Sequence, residues 1–200
     1  VAFVQAQTAD TRLGSAVGRE IGAHPDLRGI TTLEDPLDAF VARALLAEAS
    51  ERSLDVQYYI WRDDITGKLL LYSLYRAAER GVRVRLLLDD NGIAGMDDFL
   101  AALNHHDNVE VRLFNPFVIC SSRTLGFLTD FGRLNRRMHN KSFTADNQAS
   151  IIGGRNIADE YFGVGDGTLF ADLDVLAIGP VVERVSRDFD RYWASQSAYP

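Results

Sequence analysis

Residues 54–88 read LDVQYYIWRDDITGKLLLYSLYRAAERGVRVRLLL, and this stretch decides the fold class. Its β-branched and aromatic residues favour a strand over Leu54–Trp61, and the apolar run Val82–Leu88 favours a second strand. Between the two strands, the spacing of apolar residues predicts a helix over Thr66–Arg80, which Gly81 ends. A strand, a helix and a strand within about 35 residues form a βαβ unit. The sequence therefore predicts an α/β fold in which helices cover the faces of a sheet.

The sequence predicts further helices and strands on both sides of this βαβ unit. Asp35-Pro36 marks the start of a helix, and Asp146-Asn147 predicts the turn of a hairpin. The further predicted elements are a helix from Asp38, a helix over Met96–Asn104, strands over Val109–Leu113, Lys141–Ala145, Ala149–Ile152 and Asp174–Ile178, and a helix over Pro180–Ala194. We expect a mixed, mostly parallel sheet sandwiched by helices over residues 33–200. Residues 1–32 are expected to be irregular because glycines interrupt every period.

The composition indicates a globular domain and argues against several other classes of protein. The chain has 200 residues, of which 46% are apolar, and a net charge of −7, which argues against a general nucleic-acid binder. Its single cysteine, Cys120, excludes an internal disulfide. No apolar run approaches the roughly 20 residues of a transmembrane helix, and no signal segment opens the chain. Because the sequence begins at Val1, we expect a trimmed piece of a longer protein.

A basic segment over Phe117–Lys141 contrasts with this acidic balance. It contains five basic residues against one acidic residue, and phenylalanines and leucines lie between them. Two interpretations remain open. The segment is either an interfacial loop that meets acyl chains and anionic headgroups, or a connection whose basic side chains are solvated and whose apolar side chains pack against the core.

The stretch that carries chemistry is MHNKSFTAD at residues 138–146. Residues two apart on a strand share a face, so His139 and Lys141 are expected to point together. An imidazole can attack a phosphorus atom while a fixed ammonium group neutralises the phosphoryl oxygens. Asp146 lies five positions beyond Lys141 and falls in the predicted turn. Its position therefore indicates a structural role rather than proton transfer.

Two further stretches follow predicted strands. Gly153-Gly154 lets the backbone turn sharply towards a ligand, and Asn156 could then offer its side-chain amide to the same phosphate. Asp89-Asp90 follows the second strand of the βαβ unit, where parallel sheets often place a site. For this pair, solvated turn residues are the favoured interpretation.

The residues from His139 to Asn156 fit the pattern His-x-Lys-x4-Asp-x6-Gly-Gly-x-Asn, which is much more specific than His-x-Lys alone. On this pattern the chain resembles the phospholipase D superfamily. Over residues 33–200 it resembles the amino-terminal half of bacterial cardiolipin synthases. The segments that extend the resemblance beyond the motif are LDVQYYIW at 54–61, RLLLDD at 85–90 and RLNRRMHNK at 133–141. Gly154 departs from the pattern, because many members of the superfamily have serine there.

The resemblance implies a two-step phosphatidyl transfer through a phosphohistidine, without a metal or other cofactor. His139 would be the attacking or the protonating histidine. Lys141 and Asn156 would bind the phosphate, and Asp146 completes the motif that the family uses for catalysis.

The resemblance also implies roles for residues outside the motif. Asp172 would be the carboxylate that fixes the histidine tautomer and stabilises the imidazolium. Asp174 is the alternative, since spacing alone does not separate the two carboxylates. The mixture of apolar and basic residues in the basic segment, rather than the resemblance, suggests that Arg133, Arg136 and Arg137 contact lipid headgroups or the membrane.

Members of the superfamily need two such motifs, and this chain has one, since His24, His105 and His106 do not begin His-x-Lys. The second motif would come from a removed carboxy-terminal half, which we favour, or from a symmetric dimer mate. The implied partners are a phospholipid substrate and an anionic membrane surface, with no nucleic acid, at the periphery of the bacterial cytoplasmic membrane. The alternative functions are a homodimeric phosphodiesterase or nuclease, and a non-catalytic fragment.

Overall fold

Helices and strands alternate along most of the chain in the computed structural model, which describes residues 1–22, 29–116, 137–165 and 169–200. The strands are β1 (Gly29–Leu33), β2 (Ser53–Tyr58), β3 (Arg83–Asp89), β4 (Val109–Phe114), β5 (Ser142–Ala145), β6 (Ala149–Gly153), β7 (Asp174–Ile178) and β8 (Ala198–Tyr199). The helices are α1 (Arg12–Gly22), α2 (Pro36–Ala49), α3 (Ile65–Glu79), α4 (Asp97–Asn104), α5 (Asp159–Phe162) and α6 (Pro180–Trp193). Within these described ranges, no helix has both the length and the apolar character needed to cross a membrane.

The eight strands form one sheet in the order β1-β7-β6-β5-β2-β3-β4-β8. Only the pairs β2–β3 and β3–β4 are parallel, and the other five pairs are antiparallel. The predicted mixed sheet is confirmed, whereas the expectation that most strand pairs are parallel is wrong. Parallel pairing needs a crossover connection, which α3 provides between β2 and β3 and α4 provides between β3 and β4.

Helices cover both faces of the sheet, as predicted. The side chains of β3 alternate between the faces, so Leu86 lies in a large core with residues of α2, α3 and α4. Leu87 points the other way and packs with Phe189 and Trp193 of α6. The site described below lies on the α6 side.

The amino-terminal segment belongs to the same domain, and the prediction that residues 1–32 are irregular is wrong. This segment contains α1, and β1 extends the sheet by pairing antiparallel with β7. One of the glycines that suggested irregular structure serves packing, since a Cβ atom on Gly14 would lie 2.2 Å from the carbonyl oxygen of Thr8. A residue with a side chain would force the helix away from the preceding turn.

The hairpin that follows the motif is held by the carboxylate of Asp146. Both Asp146 and Asn147 have positive φ angles, 51° and 50°, which two-residue hairpin turns of this kind require. The buried Asp146 carboxylate accepts hydrogen bonds from the backbone N–H groups of Glu51, Arg52 and Ser53 at 3.0, 2.8 and 2.9 Å. It thereby joins the turn to the start of β2, a structural arrangement of the kind expected from its position.

We expect the substitution Asp146→Ala to destabilise the chain by roughly 2–3 kcal/mol, because it leaves buried N–H groups without acceptors. For a domain of this size, that loss lowers the Tm by about 5–10 °C in thermal unfolding. The matched control is Asp10→Ala, which removes an exposed carboxylate 3.0 Å from the Arg52 side chain. The control should change stability by less than about 1 kcal/mol. Equal melting of both variants would contradict the structural role of Asp146.

Candidate active site

Three neighbouring strands, β2, β5 and β6, and the helix α6 line a groove at one end of the sheet. Gln57 at the end of β2 pairs with Ser142 at the start of β5, so the carboxyl-terminal end of one strand meets the amino-terminal end of the other. The groove has a volume of about 420 Å³. Its lining residues are Gln57, His139, Asn140, Lys141, Ser142, Ile152, Gly153, Arg184, Val185 and Asp188.

The histidine and the lysine of the motif, His139 and Lys141, both lie beside the ring of Tyr59. The centroids of the His139 and Tyr59 rings lie 4.2 Å apart, with an angle of 40° between their planes. The Lys141 ammonium lies 5.9 Å from the Tyr59 centroid and donates a hydrogen bond of 2.7 Å to the His139 carbonyl oxygen. The side chains lie together as the spacing predicts, although residues 139–141 precede β5 rather than belong to it.

The backbone before His139 is held by Asp89, which the sequence interpretation placed in a solvated turn. That interpretation is wrong, because Asp89 is fully buried. Its carboxylate accepts a hydrogen bond of 2.9 Å from the Met138 N–H and forms an ion pair of 3.1 Å with Arg137. Burial raises the pKa of Asp89. This contact fixes the position of the motif relative to the end of β3.

Arg137 is therefore not available for the role predicted from its position in the basic segment. Its side chain is only 7% exposed, and its guanidinium donates to the Asn115 carbonyl oxygen as well as to Asp89. The prediction that Arg137 contacts lipid headgroups is corrected by this placement. Arg133, Arg136 and the basic segment over residues 117–136 lie outside the described residues.

Asp172 lies beside the glycine turn that closes the motif. A Cβ atom on Gly154 would lie only 1.8 Å from the Asp172 carboxylate. The Gly154 N–H donates to the carbonyl oxygen of Leu173 at 3.1 Å, which holds the two segments together. Glycine at position 154, where many superfamily members have serine, therefore makes room for the Asp172 carboxylate.

The charge of Asp172 acts on the motif lysine. Partial burial lowers the pKa of Lys141, and the negative charges of Asp172 and Asp174 partly oppose that shift. No hydrogen bond joins Asp172 to the His139 ring in the described part of the chain, so its predicted role in orienting the histidine stays a prediction.

Asp174 has a different environment. Its fully buried carboxylate forms ion pairs with Arg43 at 2.8 Å and with Arg155 at 3.4 Å. Both guanidinium groups are buried as well, so two interior cations share the single negative charge of Asp174. The structure thus separates two carboxylates that spacing could not, with Asp174 inside the fold and Asp172 facing the site.

Asn156 joins the glycine turn to the end of β2. Its side-chain oxygen accepts a hydrogen bond from the Ile60 N–H at 3.0 Å, and its amide nitrogen donates to the Tyr161 hydroxyl at 3.0 Å. Because an amide nitrogen carries two hydrogens, one N–H remains for a phosphate oxygen.

The groove also includes residues that the sequence interpretation did not assign. Tyr59, whose ring contacts His139 beside the groove, lies within the predicted strand Leu54–Trp61, and its aromatic character was the available signal. Arg184 and Asp188 lie on the predicted final helix, and Asp188 accepts a hydrogen bond of 3.0 Å from Asn140. Which face of that helix meets the motif depends on tertiary packing. Across the described ranges, no group of three or more metal-ligating side chains has the arrangement of a metal site.

A mixed sheet flanked by helices, with His139 and Lys141 of the motif side by side at the groove, is the arrangement of a phospholipase D-type domain. Residues 43–193 match the family model of the cardiolipin synthase, PLD-like domain. The chain therefore belongs to that family. It is 59% identical over 189 residues to cardiolipin synthase C of Escherichia coli strain K12. The match covers 94% of this chain and 40% of that protein, so the chain spans less than half the length of this relative.

Solved structures with low sequence identity share the fold. Phosphatidylserine synthase of Haemophilus influenzae Rd KW20 superposes with a TM-score of 0.64 at 15% identity, over 92% of this chain and 42% of that chain. The phospholipase D family member Nuc of Salmonella typhimurium superposes with a TM-score of 0.61 at 15% identity. That match covers 86% of this chain and 99% of Nuc.

We expect Asp172→Asn to move the alkaline limb of the pH–activity profile of the complete protein to lower pH. The variant removes a negative charge that favours the Lys141 ammonium, so the pKa of Lys141 falls further below that of an ordinary lysine. The measurement is kcat/KM against pH, supplemented by vanadate binding if turnover is slow. Asp63→Asn, which removes the partner of the distant Lys68, should leave the profile unchanged. An unmoved or raised limb in Asp172→Asn would contradict the coupling.

Proposed function

We propose that this chain supplies one half-site of a phosphatidyltransferase that forms cardiolipin from glycerophospholipids. The observation that carries the proposal is the convergence of His139 and Lys141 on Tyr59 at the groove. The similarity to cardiolipin synthase C supports the choice of substrate class. A fixed cation beside an imidazole suits a reaction in which charge develops on phosphoryl oxygens.

The proposed reaction proceeds in two displacements. A nitrogen of His139 bonds to the phosphorus of a glycerophospholipid as the bond between phosphorus and the leaving alcohol breaks. A histidine of a second motif gives that alcohol its proton. The hydroxyl group of the acceptor lipid then bonds to phosphorus, the phosphorus–nitrogen bond breaks, and the second histidine takes the hydroxyl proton. If the roles of the two histidines are reversed, His139 supplies and recovers the proton.

The remaining site residues support these displacements without forming bonds to phosphorus. Lys141 neutralises the phosphoryl oxygens, and the free N–H of Asn156 donates to one of them. Asp172 stabilises the positive charge of the site. Asp146 and Asp174 act through the fold, because their carboxylates are buried against backbone N–H groups and guanidinium groups respectively.

The proposal includes a second His-x-Lys half, which we place in the same longer chain, and a peripheral position on an anionic membrane surface. It includes no metal, cofactor or nucleic acid. A lipid substrate requires access to a bilayer, and the basic segment at residues 117–136 is the candidate for contact with anionic headgroups.

The test is cardiolipin synthesis by the complete protein on phosphatidylglycerol vesicles, followed by mass spectrometry in the presence of EDTA. His139→Ala should abolish turnover, since no neighbouring group replaces the imidazole. Lys141→Ala should lower kcat by about two to three orders of magnitude, equivalent to about 3–4 kcal/mol of lost stabilisation of the transition state. Lys68→Ala, an exposed lysine on α3, is the matched control and should retain activity. Full activity of His139→Ala, or a requirement for added metal, would refute the mechanism.

A second candidate is a phosphodiesterase that acts as a symmetric dimer of single-motif chains. The observation that favours it is that the match covers 99% of the Nuc chain, so that chain has little beyond this fold. The first candidate requires a second motif from the rest of a longer chain, whereas the second candidate requires only a second copy of this chain.

We expect the isolated 200-residue chain to be monomeric and to have little or no transferase or diesterase activity, because the second histidine is missing. Sedimentation analysis and assays on phosphatidylglycerol vesicles and bis(p-nitrophenyl) phosphate check this expectation. A dimer that hydrolyses the soluble diester would instead establish the second candidate.

A further inference from the structure

Three large apolar side chains are exposed on the segment that carries Asp172. Leu169, Phe170 and Leu173 are 51%, 46% and 48% exposed. Apolar side chains that are exposed together in sequence and flank a site residue indicate a contact surface more strongly than single exposed residues do. We call these three residues the apolar rim.

The rim is fixed to the residues that surround the proposed phosphate site. The Phe170 N–H donates to the Glu160 carbonyl oxygen at 2.9 Å, and the Phe170 ring packs edge-on against Tyr161 with 5.1 Å between centroids. The hydroxyl of Tyr161 accepts the hydrogen bond from Asn156. The Leu173 carbonyl oxygen accepts the N–H of Gly154. The rim is therefore anchored at both of its ends beside the glycine turn.

The apolar rim lies next to Asp172, whose negative charge affects the pKa of Lys141. Asp172 stands between Phe170 and Leu173, and its charge influences Lys141. In a glycerophospholipid, the phosphate is bonded directly to the glycerol that carries the acyl chains. A phosphate held at Lys141 thus brings apolar chains to the immediate surroundings of the site.

We infer that the apolar rim binds the acyl portion of the phospholipid whose phosphate lies at His139 and Lys141. This inference rests on the proposed function and deepens it by naming the side chains that recognise hydrocarbon. Burial of these side chains against acyl chains removes apolar surface from water, which is favourable.

The charges beside the rim favour a lipid over a polynucleotide. Within the stretches 157–165 and 169–173, which contain the rim and its contacts, the charged residues are Asp159, Glu160 and Asp172, and all of them are acidic. Polynucleotides bind through several phosphate contacts to basic side chains. An acidic border around an apolar surface disfavours such binding, whereas a single phosphodiester at Lys141 is compatible with it.

The test compares two substrates that share a phosphodiester but differ in hydrocarbon. In the complete protein, the double variant Phe170→Gln/Leu173→Gln should lower kcat/KM on long-chain phosphatidylglycerol vesicles by about tenfold or more, the effect of losing one to two buried apolar side chains. Its kcat/KM on bis(p-nitrophenyl) phosphate should stay within about twofold of the parent, because that diester has no acyl chain to lose.

The matched control is Leu37→Gln/Leu45→Gln on α2, where two leucines are each 62% exposed and no site residue is adjacent. The control should leave both substrates unaffected, and thermal unfolding should show that both double variants remain folded. Flotation with phosphatidylglycerol vesicles gives a second measurement, in which only the rim variant should lose retention.

Two results would overturn the inference: unchanged activity of the rim variant on vesicles, or an equal loss on both substrates. An inactive parent protein would count against the proposed function alone. In that case, selective loss of vesicle retention in the rim variant would still support the contact with lipid, and unchanged retention would refute it.

Discussion

The buried carboxylate of Asp174 provides the negative charge that pairs with two arginines in the interior of this domain. Asp174 is fully buried and lies against two buried guanidinium groups, those of Arg43 on α2 and Arg155 after β6. Removing one partner of such a buried pair typically costs about 3–5 kcal/mol, because the remaining charges stay in the interior without compensation. Arg43 also donates to the Tyr58 hydroxyl, and Arg155 donates to the Leu33 carbonyl oxygen. The cluster thus ties α2, β1, β2 and β7 together behind the glycine turn.

This buried cluster explains how the site obtains a carboxylate next to a lysine. Position 174 points into the protein and pairs with the arginines, while position 172 lies beside Gly154, and its charge favours the Lys141 ammonium. The full motif pattern was sufficient to select His139 and Lys141 as candidates, and both of them line the groove. It could not distinguish the two carboxylates or identify the Tyr59 contact, since both depend on the packing of segments that are distant in the chain.

The fold shows the same division between local and distant signals. The start of α2 at Asp35-Pro36 and the turn at Asp146-Asn147 were predictable, because a cap and a turn act within a few residues. The helix at Arg12–Gly22 was missed because its glycines weaken the local helical preference, and contact with the preceding turn requires one of them. The antiparallel pairing of β1 with β7 joins residues far apart in the sequence, and no local pattern indicates it.

The roles of the motif residues in the structure bear on how such chains can diverge. His139 and Lys141 lie in the groove, whereas the carboxylate of Asp146 binds the backbone of residues 51–53. A descendant that lost His139 and Lys141 would keep the hairpin and the start of β2 intact. Such an inactive but folded chain could persist and acquire a scaffolding role. Loss of the aspartate would act on folding first, whatever the state of the reactive groups. In a family of related sequences, conservation of this aspartate therefore indicates that the fold is kept. Conservation of the histidine and the lysine indicates that the proposed chemistry is kept.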